Sequence, residues 1–247
     1  LDKLSDKTDK RVAFIHQHIL FLQKQLEGFG SSLQIFHETP LQAFKQLNQQ
    51  YAISHVFANH DYEKYGIERD LNILNYLKQQ QIEFLTLKDQ VIFEKKEVVK
   101  DDGHPYTVFT PYSKKWKSLW QPSNIKPAVI DDFINQFLKI SPQPIPSLES
   151  LGFNKVNIVF PEKEIDISLL KLYQQNRDFP GIHGTSHLGI HLRFGTISIR
   201  SLALTCYTIS ETFLNELIWR DFYHMICWNF PHINQYKSFK QKYSNSN

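Results

Sequence analysis

From Arg11 to Phe29 the apolar side chains Val12, Ile15, Ile19, Leu22 and Leu26 recur at alternating steps of three and four, and Gly28 and Gly30 stop the pattern. That spacing predicts an amphipathic helix. Ser32–Phe36 then reads as a short strand, Pro40 opens a second helix running to about Gln50, and Ser54–Ala58 reads as a buried strand. A third helix is predicted over Ile67–Gln80, followed by short strands at Ile82–Leu85 and Val91–Glu94. Strands alternating with helices argue for a parallel sheet with crossover helices, an α/β arrangement.

The rhythm fails between Gln121 and Pro161, where six of the eleven prolines lie: Pro122, Pro127, Pro142, Pro144, Pro146 and Pro161. Such composition resists helix and sheet and favours an extended connector, here with one amphipathic patch around Ile130–Leu138. Beyond it the pattern is helical over Ile167–Asn176 and most of Leu188–Phe230, ending in a polar tail at Lys240–Asn247.

The stretch Asn215–Tyr223 changes the picture from architecture to chemistry. At 100° per residue Glu216, Trp219, Arg220 and Tyr223 fall within an arc of about 100° on one helix face. A core helix would carry Leu and Val there. This one presents a flat ring, a fixed cation and a carboxylate, which suits a planar, negatively charged partner. Taken alone, the stripe also fits a partly exposed face with an i,i+4 pair of Glu216 and Arg220.

Upstream stand Tyr173-Gln174-Gln175-Asn176-Arg177-Asp178-Phe179-Pro180, then Gly184-Thr185-Ser186-His187-Leu188-Gly189 and Leu192-Arg193-Phe194-Gly195. With Asn215-Glu216-Leu217-Ile218-Trp219-Arg220-Asp221-Phe222-Tyr223, their order and spacing resemble the flavin-binding and DNA-binding region of the photolyase/cryptochrome family. The match is to the class I cyclobutane pyrimidine dimer photolyases. The resemblance implies an α/β antenna-type domain over 1–120, a parallel sheet with crossover helices and its first strand missing. A long Pro-rich linker follows over 121–165, and then the start of an all-α flavin-binding and DNA-binding domain over 166–247.

By the same resemblance FAD is the cofactor, contacted by Tyr173, Thr185, Ser186, His187, Leu188, Gly189, Phe213 and Glu216. Small hydroxyls after Gly184 and a helix N-terminus suit a diphosphate. His187 stands where Arg is usual and Gly189 where Ser is usual, so a fixed charge becomes titratable and one side-chain contact is lost. Weaker flavin retention is the expected result. Phe213 replaces the Trp of many relatives.

The implied partner is DNA containing pyrimidine dimers, met by Arg177, Glu216, Trp219, Arg220 and Tyr223. Trp219 is positioned as the platform for the damaged bases, and Glu216 as the carboxyl group that hydrogen-bonds the dimer, so these two carry the catalytic assignment. In the family, blue light drives an electron from reduced flavin to the dimer; the protein supplies placement and electrostatics. The N-terminal half adds Asn59-His60-Asp61-Tyr62-Glu63-Lys64-Tyr65, resembling a family segment whose Glu contacts an antenna pigment. Glu63 is the antenna candidate, with methenyltetrahydrofolate or a deazaflavin as the pigment. Pro105–Tyr112 with Trp116 resembles a second family segment and reads as turn and packing chemistry.

Relatives extend on both sides of this stretch, so the chain resembles an internal fragment that is inactive alone, with the flavin-reducing tryptophan relay outside it. None of Trp116, Trp120, Trp219 and Trp228 falls at those relay positions. Two other readings stay open: a cryptochrome-type blue-light receptor without repair, and a nucleotide-binding α/β domain without flavin.

The 247 residues carry 41% hydrophobic and 14% aromatic side chains, enough for a real core, and a formal charge of only +3. Any nucleic-acid surface must therefore come from local clustering. Cys206 and Cys227 are too few for a disulfide scaffold or a four-cysteine zinc site, and no metal constellation follows from them. With no apolar run near 18 residues and no signal-peptide layout, the expectation is a soluble, intracellular monomer without an obligate protein partner, cytoplasmic in a bacterium.

Overall fold

The structure, a computed structural model, describes residues 1, 4–125, 130–235 and 237–239; Pro127 of the expected connector and the polar tail from 240 onward lie outside them. The chain packs as two units: 1–37 with 127–164 and 187–196, and 38–126 with 165–186 and 197–247.

In the first unit, α1 (Lys10–Gly28) begins where the Asp9 carboxylate accepts the Arg11 amide, satisfying one of the helix's orphan donors. Its fully buried Phe14 meets Phe160 at 5.1 Å and His191 at 5.3 Å between ring centroids. His191 lies on the short helix α6 (Gly189–Phe194) and is buried with both ring nitrogens engaged. Nδ1 faces the Thr196 hydroxyl at 2.7 Å and Nε2 the Pro161 carbonyl at 2.8 Å. Gly195, in the left-handed region at φ 67°, ends the helix.

The strand expected at Ser32–Phe36 does not form. The buried Gln23 side chain accepts the Leu33 amide at 2.9 Å and donates to the Ser32 hydroxyl at 3.0 Å, which ties the segment to α1. Around Ile130 the chain makes a single 3₁₀ stretch, Asp131–Gln136.

The second unit holds the sheet. β1 (His55–Asn59) pairs in parallel with β2 (Glu83–Leu87), in register from His55 opposite Glu83 to Asn59 opposite Leu87. Two strands make up this sheet among the described residues. The crossover is α3 (Lys64–Gln79), and α2 (Pro40–Gln50) precedes the sheet, with Pro40 at its first turn and Thr39 as cap. Ile73, Leu77 and Ile82 form the buried centre, with Phe44, Val56 and Phe84 packed on it.

The strand expected at Val91–Glu94 is also absent as a strand, and the reason is specific. The amides of Ile92 and Phe93 donate to the Asp221 carboxylate at 3.1 and 3.0 Å, so they are spent on a side chain. Next come α4 (Phe109–Leu119), α5 (Ile167–Asn176), α7 (Ile199–Ile209) and α8 (Glu211–Asn229); α8 packs against α4, α5 and α7. Tyr112 and Trp116 on α4 are fully buried, in line with a packing role for their segment. Among the described residues no helix is long and apolar enough to cross a membrane.

Candidate functional site

The site is built on α8. Ser210 caps it by accepting the Phe213 amide, and Leu214, Leu217, Ile218, Phe222, Met225 and Ile226 are buried at helical spacing. This fixes the rotation of the helix about its axis. Glu216, Trp219 and Arg220 are left half-buried along its flank, and Tyr223 is exposed.

Asp221 belongs to the buried stripe, four residues after Leu217, and is wholly inaccessible. Its carboxylate takes the indole N–H of Trp116 at 2.9 Å besides the two loop amides. Burial pushes this carboxyl up to about 6, against the downward pull of those three donors. Sequence reasoning missed the residue, although helix-face arithmetic from Leu214 and Ile218 would have placed it inside. A buried acid clamping a loop and α4 to α8 holds the walls of the site in position.

A cavity of about 360 Å³ lies between α4, α8 and the end of α5; Phe109, Lys114, Lys117, Arg177, Glu216 and Trp219 line it. Arg177, the residue following α5, pairs with Glu216 through Nη1 and stands over the Tyr173 ring at 5.8 Å. Tyr173 in turn meets Phe213 edge-on at 4.8 Å. Burial, and then the Glu216 charge, raise the Tyr173 phenol above its ordinary range. Tyr173, Arg177, Phe213, Glu216 and Trp219 are therefore brought together. Lys117 bonds Glu211 at 2.6 Å across α4 and α8, while Lys114 is exposed at the rim. Two of the three cations at the cavity are thus paired with carboxylates, Lys117 with Glu211 and Arg177 with Glu216.

The indole of Trp219 has a neighbour that the sequence did not disclose. Phe109, the first residue of α4, stacks on it at 3.6 Å between centroids and 6° between planes. Arg220 donates to the Gln90 carbonyl, which links α8 to the loop after β2.

Thr185 and Ser186 do not line this cavity. Thr185 is exposed and Ser186 half-buried, in the segment after Gly184. Gly184 is required by contact: a Cβ there would collide with the Asn176 carbonyl. Within the other unit, His187 adopts a left-handed backbone at φ 53°, Leu188 is buried and Gly189 opens α6. Glu63 is the N-cap of α3 and makes no side-chain cap bond; the Asp61 carboxylate accepts the Tyr62 and Glu63 amides. Burial, and then Glu63, raise the Cys227 thiol. Among the described residues no cluster of three or more acidic, His or Cys side chains could hold a metal ion.

The model of the DNA photolyase family matches residues 2–134. Deoxyribodipyrimidine photo-lyase of Synechococcus sp. is 27% identical over 97% of this chain and 55% of its own length. The same-named protein of Alkalihalophilus pseudofirmus is 32% identical over 86% and 48%. Among solved structures, the archaeal photolyase of Sulfolobus tokodaii, described with two FAD molecules, superposes with a TM-score of 0.70 at 23% identity, covering 97% of this chain and 53% of its own. The chain spans about half the length of the curated relatives it matches.

Proposed function

Because the chain belongs to the DNA photolyase/cryptochrome family, we propose that the whole protein repairs cyclobutane pyrimidine dimers in DNA by light-driven electron transfer from reduced FAD. The observation that supports this most is the shared cavity of Trp219, Glu216 and Arg177, beside Tyr173 and Phe213. In this reading a base that has left its duplex stack lies against Trp219, a contact worth about 1–3 kcal/mol. Glu216 hydrogen-bonds the base edge. Arg177, drawn off Glu216, holds a backbone phosphate with its planar fork, and Arg220 and Tyr223 border the same face.

The residues fit the cofactor by their chemistry. In one unit the hydroxyls of Thr185 and Ser186 are diphosphate donors, the half-buried Tyr173 is an apolar surface for a planar ring and Phe213 is buried; in the other the Gly189 amide is a further donor type and Leu188 is buried. His187 stands where a permanent cation is usual, so flavin retention is weaker than with an arginine there. Bound reduced flavin would supply the electron under blue light. Glu63 is proposed to contact an antenna pigment.

The same reading divides the chain into an antenna-type domain (1–120), a connector (121–165) and the start of a helical flavin domain (166–247). With half the relatives' length, the chain alone is proposed to be inactive. The test is blue-light repair of an oligonucleotide carrying one dimer by the protein in its whole length, with its flavin measured by absorbance. Repair in light and none in darkness is expected; bound flavin without repair would shift the reading to a photoreceptor.

A further inference from the structure

One face of the Trp219 indole is already occupied. Phe109 lies at 3.6 Å and 6° from the indole, which is the separation and tilt of a stacked base. A second ring cannot share that face. Its other ring contacts among the described residues lie on its own helix: Phe222 edge-on at 5.7 Å and Tyr223 at 5.5 Å.

Phe109 is also held in a way that lets it leave. The fully buried Tyr112 and Trp116 anchor α4, and Lys117 pairs with Glu211, all about a turn or more C-terminal to Phe109. At the other end the N-cap Val108 makes no side-chain cap bond and is 58% exposed, and Phe109 itself is half-buried and lines the cavity. A rotation about its side-chain bonds moves the ring without unpacking α4.

We propose that Phe109 is a placeholder for the nucleobase: it stacks on Trp219 when no nucleic acid is bound and must be displaced by an incoming base, so that it lowers the affinity for every strand that binds. This rests on the site's taking nucleic acid, as proposed above. Displacement subtracts a fixed cost from every bound strand. That cost is the same for damaged and undamaged strands, so the ratio of their affinities is left to the energy of pulling the base from its stack.

The experiment measures the affinity of the whole protein for two labelled duplexes, one with a central thymine dimer and one undamaged, by fluorescence anisotropy. Phe109→Ala and Phe109→Leu are compared with wild type and with Trp219→Ala, and circular dichroism checks each fold. Loss of the aromatic stack should tighten binding of the dimer about 2- to 10-fold and of undamaged DNA by about the same factor, so discrimination is unchanged. Phe109→Leu keeps apolar bulk and should behave like Phe109→Ala. Weaker binding in both Phe109 variants, with Trp219→Ala also weak, would make Phe109 part of the platform and overturn the placeholder while leaving the nucleic-acid reading intact. Binding that is unchanged in both Phe109 variants would overturn it as well. No binding in wild type, or binding indifferent to Trp219, would instead overturn the functional reading and the placeholder with it.

Discussion

The Asp221 carboxylate accepts the Trp116 indole N–H at 2.9 Å, and neither residue is exposed to solvent. With the amides of Ile92 and Phe93, this makes one buried acid the junction of α8, α4 and the loop after β2. The junction fixes where Phe109 and Trp219 meet.

Asp221 makes stability depend on pH. Its carboxyl is raised in the fold from 3.8 to about 6, so the fold favours the protonated form. The resulting stabilisation is complete below about pH 4 and is lost as pH rises through about 6, a change of about 3 kcal/mol. Urea denaturation between pH 4 and 7 should show this slope in wild type, superposed on other titrations, and a flatter one in Asp221→Asn. Identical slopes would contradict the assignment. Below about pH 4 the variant should be less stable, because the asparagine –NH₂ opposes at least one of three N–H donors, at about 1–3 kcal/mol, and the gap should close as pH rises through about 6.

Arg177 and Glu216 are each about one-third exposed, so their pair contributes at most about 1 kcal/mol to stability. Arg177→Ala should leave the melting temperature nearly unchanged. It should weaken binding of single-stranded DNA and lower the slope of log affinity against log salt by about one. A large melting shift with an unaltered salt slope would make Arg177 a structural residue.

Gly184 tolerates no side chain, because a Cβ would strike the Asn176 backbone. Gly184→Ala should cost about 1–3 kcal/mol by overpacking and displace the segment leading to Thr185 and Ser186. Flavin retention of the whole protein should fall with it. Wild-type stability and retention in the variant would show that the close approach is relieved at little cost.

Much of this was legible in the sequence where the information is local. The stripe of α1, the proline opening α2 and the two paired strands were found within a few residues, because periodicity and caps act over one or two turns. The failures at Ser32–Phe36 and Val91–Glu94 share one cause: Gln23 and Asp221, 10 and 128 positions from the amides of Leu33 and Phe93, take hydrogen bonds that a strand would have used. No pattern in the segments themselves reveals that. In the site, the face of α8 followed from helix arithmetic, whereas the stacking of Phe109 on Trp219 depends on how α4 and α8 meet.

The central claim is that Trp219 receives the damaged base, and its most direct test is the affinity of the whole protein for a dimer-containing strand in wild type and Trp219→Ala. Loss of a base–aromatic stack predicts binding weaker by about 5- to 150-fold, with binding of flavin unchanged. Equal affinity for the dimer in the two proteins would contradict the account.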